Sequence, residues 1–274
     1  MKSRLIAFVL ILAAFLLLLH EWAFLPAGTL KVVMLDVDQG DSILITTPGN
    51  QRILVDGGPN LEALERLGEE LPFMSRRIDL LILSHPDSDH VTAFPQILER
   101  YDIKTILMTG VQHGSSRYKA FLDAAHAEGA EIILASSNND LDLGHDLLLD
   151  VLWPLEEMLN EKVKHPNNMS VVVKLIWKEH EILLTGDIEK EVEEALLAFG
   201  ADLQSDILKV AHHGSRTSSS TGFLLAAKPD LALMSVGREN QFGHPHPEII
   251  KRYETLGIPI RRTDEEGRIE IVLE

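Results

Sequence analysis

The chain has 274 residues, 42 of them acidic and 25 basic, for a formal charge of −17, and it contains no cysteine. Such a charge excludes the broad basic surface of an ordinary nucleic-acid-binding protein, so a polyanionic substrate has to be gripped locally. The missing cysteines exclude disulfides and thiolate metal sites and leave the chain free to work in an oxidising compartment.

After "MKSR" comes an uninterrupted apolar run from Leu5 to Leu19, followed by "HEWAFLPAG". A basic flank before such a run matches a secretory signal, and extension through Trp22 and Phe24 suits a retained membrane anchor. No small-x-small cleavage site follows, which favours the anchor. Lys2 and Arg4 would hold this end in the cytoplasm and send the remainder across. Residues 1–28 are therefore read as signal or anchor, and 30–274 as one domain of catalytic size.

From Leu30 the pattern becomes short β-rich runs, "LKVVMLDV", "SILITT" and "QRILVDGG", separated by the turn residues "DQGD" and "PGN", which predicts an antiparallel meander. An amphipathic segment from Leu61 to Leu71 follows, then the strand "IDLLILS" and the turn "HPDSDH". A helix near Phe94 to Tyr101, the strand "KTILMTG" and a helix from Arg117 to Glu128 come next. The strands "EIILAS", "LLLDVLWP", "SVVVKLIW" and "EILLTGD" precede a last third of alternating helices and strands. That third closes on the pair "IPIRRT" and "RIEIVL". Apolar runs of strand length with helices between them indicate an α/β fold whose sheets are covered on their faces.

Polar clusters recur at the ends of these apolar runs: Asp56 after "RILV", His85 to His90 after "IDLLIL", Asp187 after "EILLTG", His212 and His213 after "DILKVA", and "GHPH" after "LALMSVG". Ligands gather on the rim outside strand ends in α/β sheets, so the clusters are expected to share one site. In "HPDSDH", His85 and Asp87 can face one centre and Asp89 and His90 another. Imidazole and carboxylate donors suit Zn²⁺, Mn²⁺ or Fe²⁺, and the second carboxylate shifts the preference toward Mn²⁺. The plainer alternative is a capped helix start with an incidental histidine. His20, His113, His126, His145, His165 and His180 have no such context and are given no role.

The markers "LDVDQGDSILI", "ILVDGG", "LILSHPDSDHVTAF", "NNMSVVV", "LLTGD", "LKVAHHGS" and "SVGRENQFGHP" follow in an order that resembles the metallo-β-lactamase superfamily, and within it the C-terminal domain of the ComEC family of competence proteins. The resemblance runs from about Lys31 to Glu274. It implies a four-layer αββα sandwich with a site for one or two metal ions, Zn or Mn, at the rim between the sheets. It also implies that His85 and Asp87 hold one ion, Asp89 and His90 the other, that Asp187 bridges them, and that His244 is the last histidine ligand. His212 and His213 become candidates for the leaving-group acid or a supporting role, with ligation open. Departures are Asp38, where the family usually has glycine, and Thr92 and Ala93, where it has a Gly-Gly pair.

The expected activity is a metal-dependent phosphodiesterase, most simply a DNase, working outside the cytoplasmic membrane with a metal-activated hydroxide as nucleophile and Asp89, His212 and His213 in the catalytic group. DNA-uptake proteins would be its partners. Asn168, Ser170, Ser215 and Arg238 are candidates for contacting the phosphate. Arg216, Lys209, Arg76 and Arg77 could supply a local positive patch, and Asp36, Gln39, Asp41 and Asp56 supporting contacts. Two alternatives stay open. One is acyl hydrolysis of a lactone or β-lactam type, which Asp87 and "HHGS" count against; the other is a non-catalytic partner in DNA uptake.

Overall fold

The structure is a computed structural model that describes residues 2–22, 28–72, 75–137, 139–159 and 165–274. The chain is helical over α1 (Lys2–Trp22). Among the described residues no helix is long and apolar enough to cross a membrane. The expected extension of an anchor through Phe24 lies outside the described residues, and the role of this segment stays a proposal.

Two seven-stranded sheets form the body. The first contains β1 (Leu30–Met34), β2 (Ile43–Thr46), β3 (Arg52–Val55), β4 (Arg77–Leu83), β5 (Asp102–Met108) and β6 (Glu131–Leu134) in that order, with β14 (Ile269–Leu273) on the outer side of β1. The second runs from β7 (Leu141–Gly144) through β8 (Leu147–Trp153), β9 (Val172–Trp177), β10 (His180–Leu184), β11 (Ile207–Lys209) and β12 (Leu231–Met234) to β13 (Ile260–Arg262). β1 to β3 form the predicted antiparallel meander. β3 to β6 are parallel, as are β10 to β13.

The pleat sorts the apolar residues into three layers, because successive strand side chains point to opposite faces. Leu80 and Ile82 of β4 meet Leu149, Val173, Ile182 and Leu184 of the other sheet in a central core. Leu81 and Leu83 of the same strand face the other way, toward α2 (Glu62–Glu70), α4 (Phe94–Arg100) and α5 (Ser116–Glu128). On the far side, Leu183, Leu208 and Ala232 pack under α6 (Lys190–Phe199), α7 (Thr221–Ala227) and α8 (Pro247–Leu256). Strands covered on both faces need apolar residues at nearly every position, which is why β4 is continuously apolar from Leu80 to Leu83. The order helix, sheet, sheet, helix is the expected αββα sandwich.

The closing strands depart from expectation. β13 and β14 do not pair with each other: β13 joins β12 in one sheet and β14 joins β1 in the other. Between them, α9 (Thr263–Glu266) begins at Thr263, whose buried hydroxyl bonds the N–H and carbonyl of Val236 at 2.8 and 3.0 Å. That contact holds the chain at the end of β12 before it crosses over. The short strand β7, which pairs with β8, was not legible in the sequence.

Ile182 is fully buried in the central core. Ile182→Ala is expected to cost about 2–5 kcal/mol through lost burial and the cavity left behind. In urea unfolding, this should appear as a lower midpoint at unchanged slope.

Candidate metal centre

The parallel arrangement delivers the loops after β3, β4, β10 and β11 to one rim. β4 ends at Leu83, and Ser84 to His90 follow as a turn into the short helix α3 (Ser88–Val91). Asp56, just past β3, is buried and adopts a left-handed φ of 60°. Its carboxylate accepts hydrogen bonds from the Ser84 N–H (2.8 Å), the Ser84 hydroxyl (2.7 Å) and His90 Nδ1 (2.8 Å). With its proton given to Asp56, the Ser84 hydroxyl accepts from His85 Nδ1 at 3.0 Å. His213 Nδ1 donates to the Ser235 carbonyl at 2.8 Å.

Three imidazoles thus have Nδ1 engaged, which leaves Nε2 as the ring atom for the site. His90 Nε2 and His213 Nε2 are buried and, among the described residues, without a hydrogen-bond partner. Both face Asp187 Oδ2, at 3.4 and 3.3 Å, and Asp89 Oδ2, at 3.8 and 3.5 Å. His85 Nε2 faces Asp87 Oδ2 at 3.8 Å. Donors bound at about 2.0–2.2 Å around a tetrahedral cation lie roughly 3.4 Å from one another. These separations are therefore the edges of a coordination shell more than a set of hydrogen bonds. The orphaned Nε2 atoms, with Nδ1 fixed by carboxylate or carbonyl, are what a histidine ligand requires. The donor set fits divalent cations.

Asp41, His90, Asp187 and His213 form a compact buried group whose candidate ligand atoms lie within 4.8 Å of one another. Asp41 nevertheless stands behind the imidazoles: its carboxylate lies 3.6 Å from His213 Nδ1 and pairs with the buried Lys209 ammonium. Asp89, not Asp41, shares the Nε2 side. Lys209 also reaches Asp187 Oδ1 at 3.2 Å and the Gly186 carbonyl at 2.8 Å, which turns Oδ2 of Asp187 toward the imidazoles. Two glycines permit this packing. A Cβ on Gly40 would stand 2.2 Å from the Asp89 carbonyl oxygen, and one on Gly186, with φ +52°, 2.7 Å from Ser170 Cβ.

Charge follows the geometry. Burial works against protonation of His213, but Asp187 and Asp41 outweigh it and push the pKa up to about 10. His90 rises for the same reason, through Asp187, Asp56 and Asp89. Burial, followed by repulsion from His90, holds His85 well below the usual imidazole value. Burial would raise Asp187, yet His213, Lys209 and His90 hold it well below the ordinary carboxylate range.

An open cleft of about 390 Å³ leads to this group, lined by Asp87, Ser88, Asp89, His113, Ser115, Arg117, Asn167, Asp187, His212 and Phe242. His85, Asp87, Asp89, His90, Asp187 and His213 come together at its base. His212 lies on its wall, near Asn167 Nδ2 at 3.4 Å and the Thr217 hydroxyl at 3.3 Å. His244 stands beside this group, its ring 6.5 Å from that of His213 and its buried Nδ1 without a hydrogen-bond partner among the described residues; burial lowers its pKa to about 4, helped by His213 and His212.

Several expected substrate contacts are placed elsewhere. Ser170 is buried and accepts the Asp187 N–H at 3.0 Å, and Asn168 Oδ1 accepts the Glu189 N–H at 3.0 Å, so both hold the turn that carries Asp187. The Ser215 hydroxyl bonds Thr217 at 3.0 Å. Arg238 donates to the Asp264 carbonyl and lines a separate hollow with Asp36, Asp38, Glu62 and Arg66. Asp36 therefore does not support the centre, and Gln39 bonds the Gly237 N–H. Arg77 opens β4 at the end opposite its site turn. Arg76 lines a hollow with Arg100 and Tyr101, Arg216 lies 3.8 Å from Glu248, and Lys209 is buried. Among the described residues the expected positive patch does not form, and Arg117 is the guanidinium that lines the cleft. Asn167, Arg117, Phe242 and His113 escaped sequence reasoning, although His113 obeys the same rule as the others, following the strand "KTILMTG".

The fold and site define the class: residues 35–238 match the model of the metallo-beta-lactamase superfamily, and the chain belongs to that superfamily. The residues gathered at the rim give it the donor set of a metal-dependent hydrolase. Among its relatives are ComE operon protein 3 of Bacillus subtilis, 30% identical over 88% of this chain and 32% of that protein, and competence protein ComA of Neisseria gonorrhoeae, 32% identical over 97% of this chain and 35% of that protein. The chain spans about a third of the length of these relatives, and it is similar to proteins of the ComEC competence family. Solved structures of the same fold include YhfI of B. subtilis (TM-score 0.59, 14% identity, 88% of this chain and 99% of that one). Another is the diiron β-hydroxylase CmlA of Streptomyces venezuelae (TM-score 0.57, 14% identity, 89% and 54%).

Two outcomes are expected for the chelator-treated protein. His213 has a raised folded pKa, so the stability it contributes is fully present below its ordinary value of 6.5 and is lost as pH rises through about 10. Thermal melts should fall over that window, and calorimetry in buffers of different ionisation enthalpy should show cation binding releasing protons. Lys209→Met leaves Asp41 and Asp187 uncompensated and should cost about 3–5 kcal/mol in denaturant unfolding.

Proposed function

We propose that the protein is a metal-dependent phosphodiesterase of the ComEC type, acting on DNA outside the cytoplasmic membrane, to which residues 1–28 would anchor or deliver it. The observation that carries this reading is the convergence of three imidazole Nε2 atoms with Asp87, Asp89 and Asp187 at the base of one cleft. Similarity to competence proteins supports the choice of DNA, and their machinery would supply the partners.

His85 and Asp87 would hold one cation, and His90, His213, Asp89 and Asp187 the other, with Zn²⁺ or Mn²⁺ suited to these donors. Bound divalent ions supply a water of lowered pKa and positive charge for the pentacovalent transition state. The protein's own part is positioning. Asp56, Ser84 and the Ser235 carbonyl fix the imidazoles, and Lys209 fixes Asp187. Arg117 at the cleft can donate to a non-bridging phosphate oxygen, and His212, held near Asn167 and Thr217, can hand a proton to the leaving oxygen. Three carboxylates at the cleft base repel a phosphodiester, so substrate binding should depend on the cations as strictly as cleavage does.

The test uses the full chain loaded with Mn²⁺ or Zn²⁺ and offered single-stranded DNA, bis-p-nitrophenyl phosphate, a lactone and a β-lactam. Phosphodiester turnover that falls at least 100-fold in Asp89→Ala and vanishes with chelator is expected. Lactone or β-lactam turnover alone would reject the phosphodiester reading in favour of acyl hydrolysis.

A further inference from the structure

β4 and β5 are parallel neighbours with Leu83 opposite Met108, so the segments that follow them leave the rim side by side. The first delivers His85 and Asp87. The second, between β5 and α5, delivers His113, whose ring edge rests against Tyr118 of α5 with centroids 6.3 Å apart. Asp87 lies between the two histidines. Its Oδ2 is 3.8 Å from His85 Nε2, and its Oδ1 is 3.8 Å from His113 Nε2.

Neither separation is a hydrogen bond, although a charge-assisted bond between imidazole and carboxylate would close to about 2.7–2.9 Å. Both are near the ligand-to-ligand spacing of roughly 3.4 Å around a cation bound at about 2.0–2.2 Å. His85 points to the same conclusion independently. Its side chain is 1% exposed, its Nδ1 is taken by Ser84, and its Nε2 is aimed at Asp87 without a hydrogen bond among the described residues. His113, 28% exposed, lines the same cleft with its Nε2 toward Asp87, and its buried Nδ1 has no hydrogen-bond partner among the described residues.

We infer that His113 completes, with His85 and Asp87, a cation position distinct from the one formed by His90, His213, Asp89 and Asp187. The inference rests on the metal reading above but not on the phosphodiester reaction. The ligand class is a divalent cation that accepts two nitrogens and a carboxylate, Zn²⁺ or Mn²⁺ by donor type. Two segments, not one turn, would then define this position, and water can fill its open side from the cleft.

The full chain, stripped by chelator and reloaded with Zn²⁺ or Mn²⁺, is passed over a desalting column, and bound metal per chain is measured by mass spectrometry. Two ions are expected for the wild type and one for His113→Ala, with the affinity for the lost ion down at least 10-fold by calorimetry. His113→Asp, which restores a ligand, should regain part of the second ion, and the Mn²⁺ form should lose its spin-coupled signal in His113→Ala. His113→Gln serves as the second ligand-removing variant should His113→Ala fail to fold. Two ions retained at wild-type affinity in these variants, or a single ion in the wild type, would overturn the inference. Two ions in the wild type, one in the variants and no phosphodiester turnover would support the inference while rejecting the proposed reaction.

Discussion

The centre depends on one buried carboxylate. Asp56 takes the Ser84 N–H, the Ser84 hydroxyl and His90 Nδ1, and so ties the end of β3, the end of β4 and the helix that carries His90 into one unit. Because the Ser84 proton is spent on Asp56, Ser84 can only accept from His85, and a single carboxylate sets the ring orientation of two histidines. Burial raises the Asp56 pKa and His90 opposes that rise, so the bond between them helps keep the carboxylate charged. Without such contacts, imidazoles on a short turn would be free to rotate, and no fixed set of Nε2 atoms would face the rim.

A second constraint is charge. Asp41 and Asp187 are buried on one side of the centre, where two carboxylates without compensation would be untenable. Lys209 lies between them, also buried, and neutralises one charge while holding Asp187 by one oxygen. A cation would neutralise the carboxylates on the other side. The centre is thus divided into a permanently compensated half, supplied by the chain, and a half in which the surrounding carboxylates raise the pKa of His90 and His213 while burial and His90 lower that of His85.

The surrounding fold makes this arrangement affordable. Three apolar layers hold the two sheets in register, so loops from β4, β5, β10 and β11 can be mostly polar without opening the core. Among the described residues Arg117 is the guanidinium that lines the open cleft, and under the proposed function the acidic chain would meet a phosphodiester through cations and this arginine rather than through a basic surface.

Sequence by itself determined the succession of strands and helices, the sandwich through its resemblance, and the gathering of His85, Asp87, Asp89, His90 and Asp187. These rest on local signals: apolar runs of strand length, and polar residues placed where such runs stop. Tertiary structure alone decided which polar residues face the cleft. Ser170 and Asn168 lie in a marker segment yet turn to backbone N–H groups, Arg238 serves another hollow, and Lys209, expected in a positive patch, is enclosed between two carboxylates. It also separated β13 from β14 and brought His113 to Asp87. Side-chain direction and sheet membership depend on contacts between segments far apart in the chain, and spacing along the sequence carries no measure of those distances.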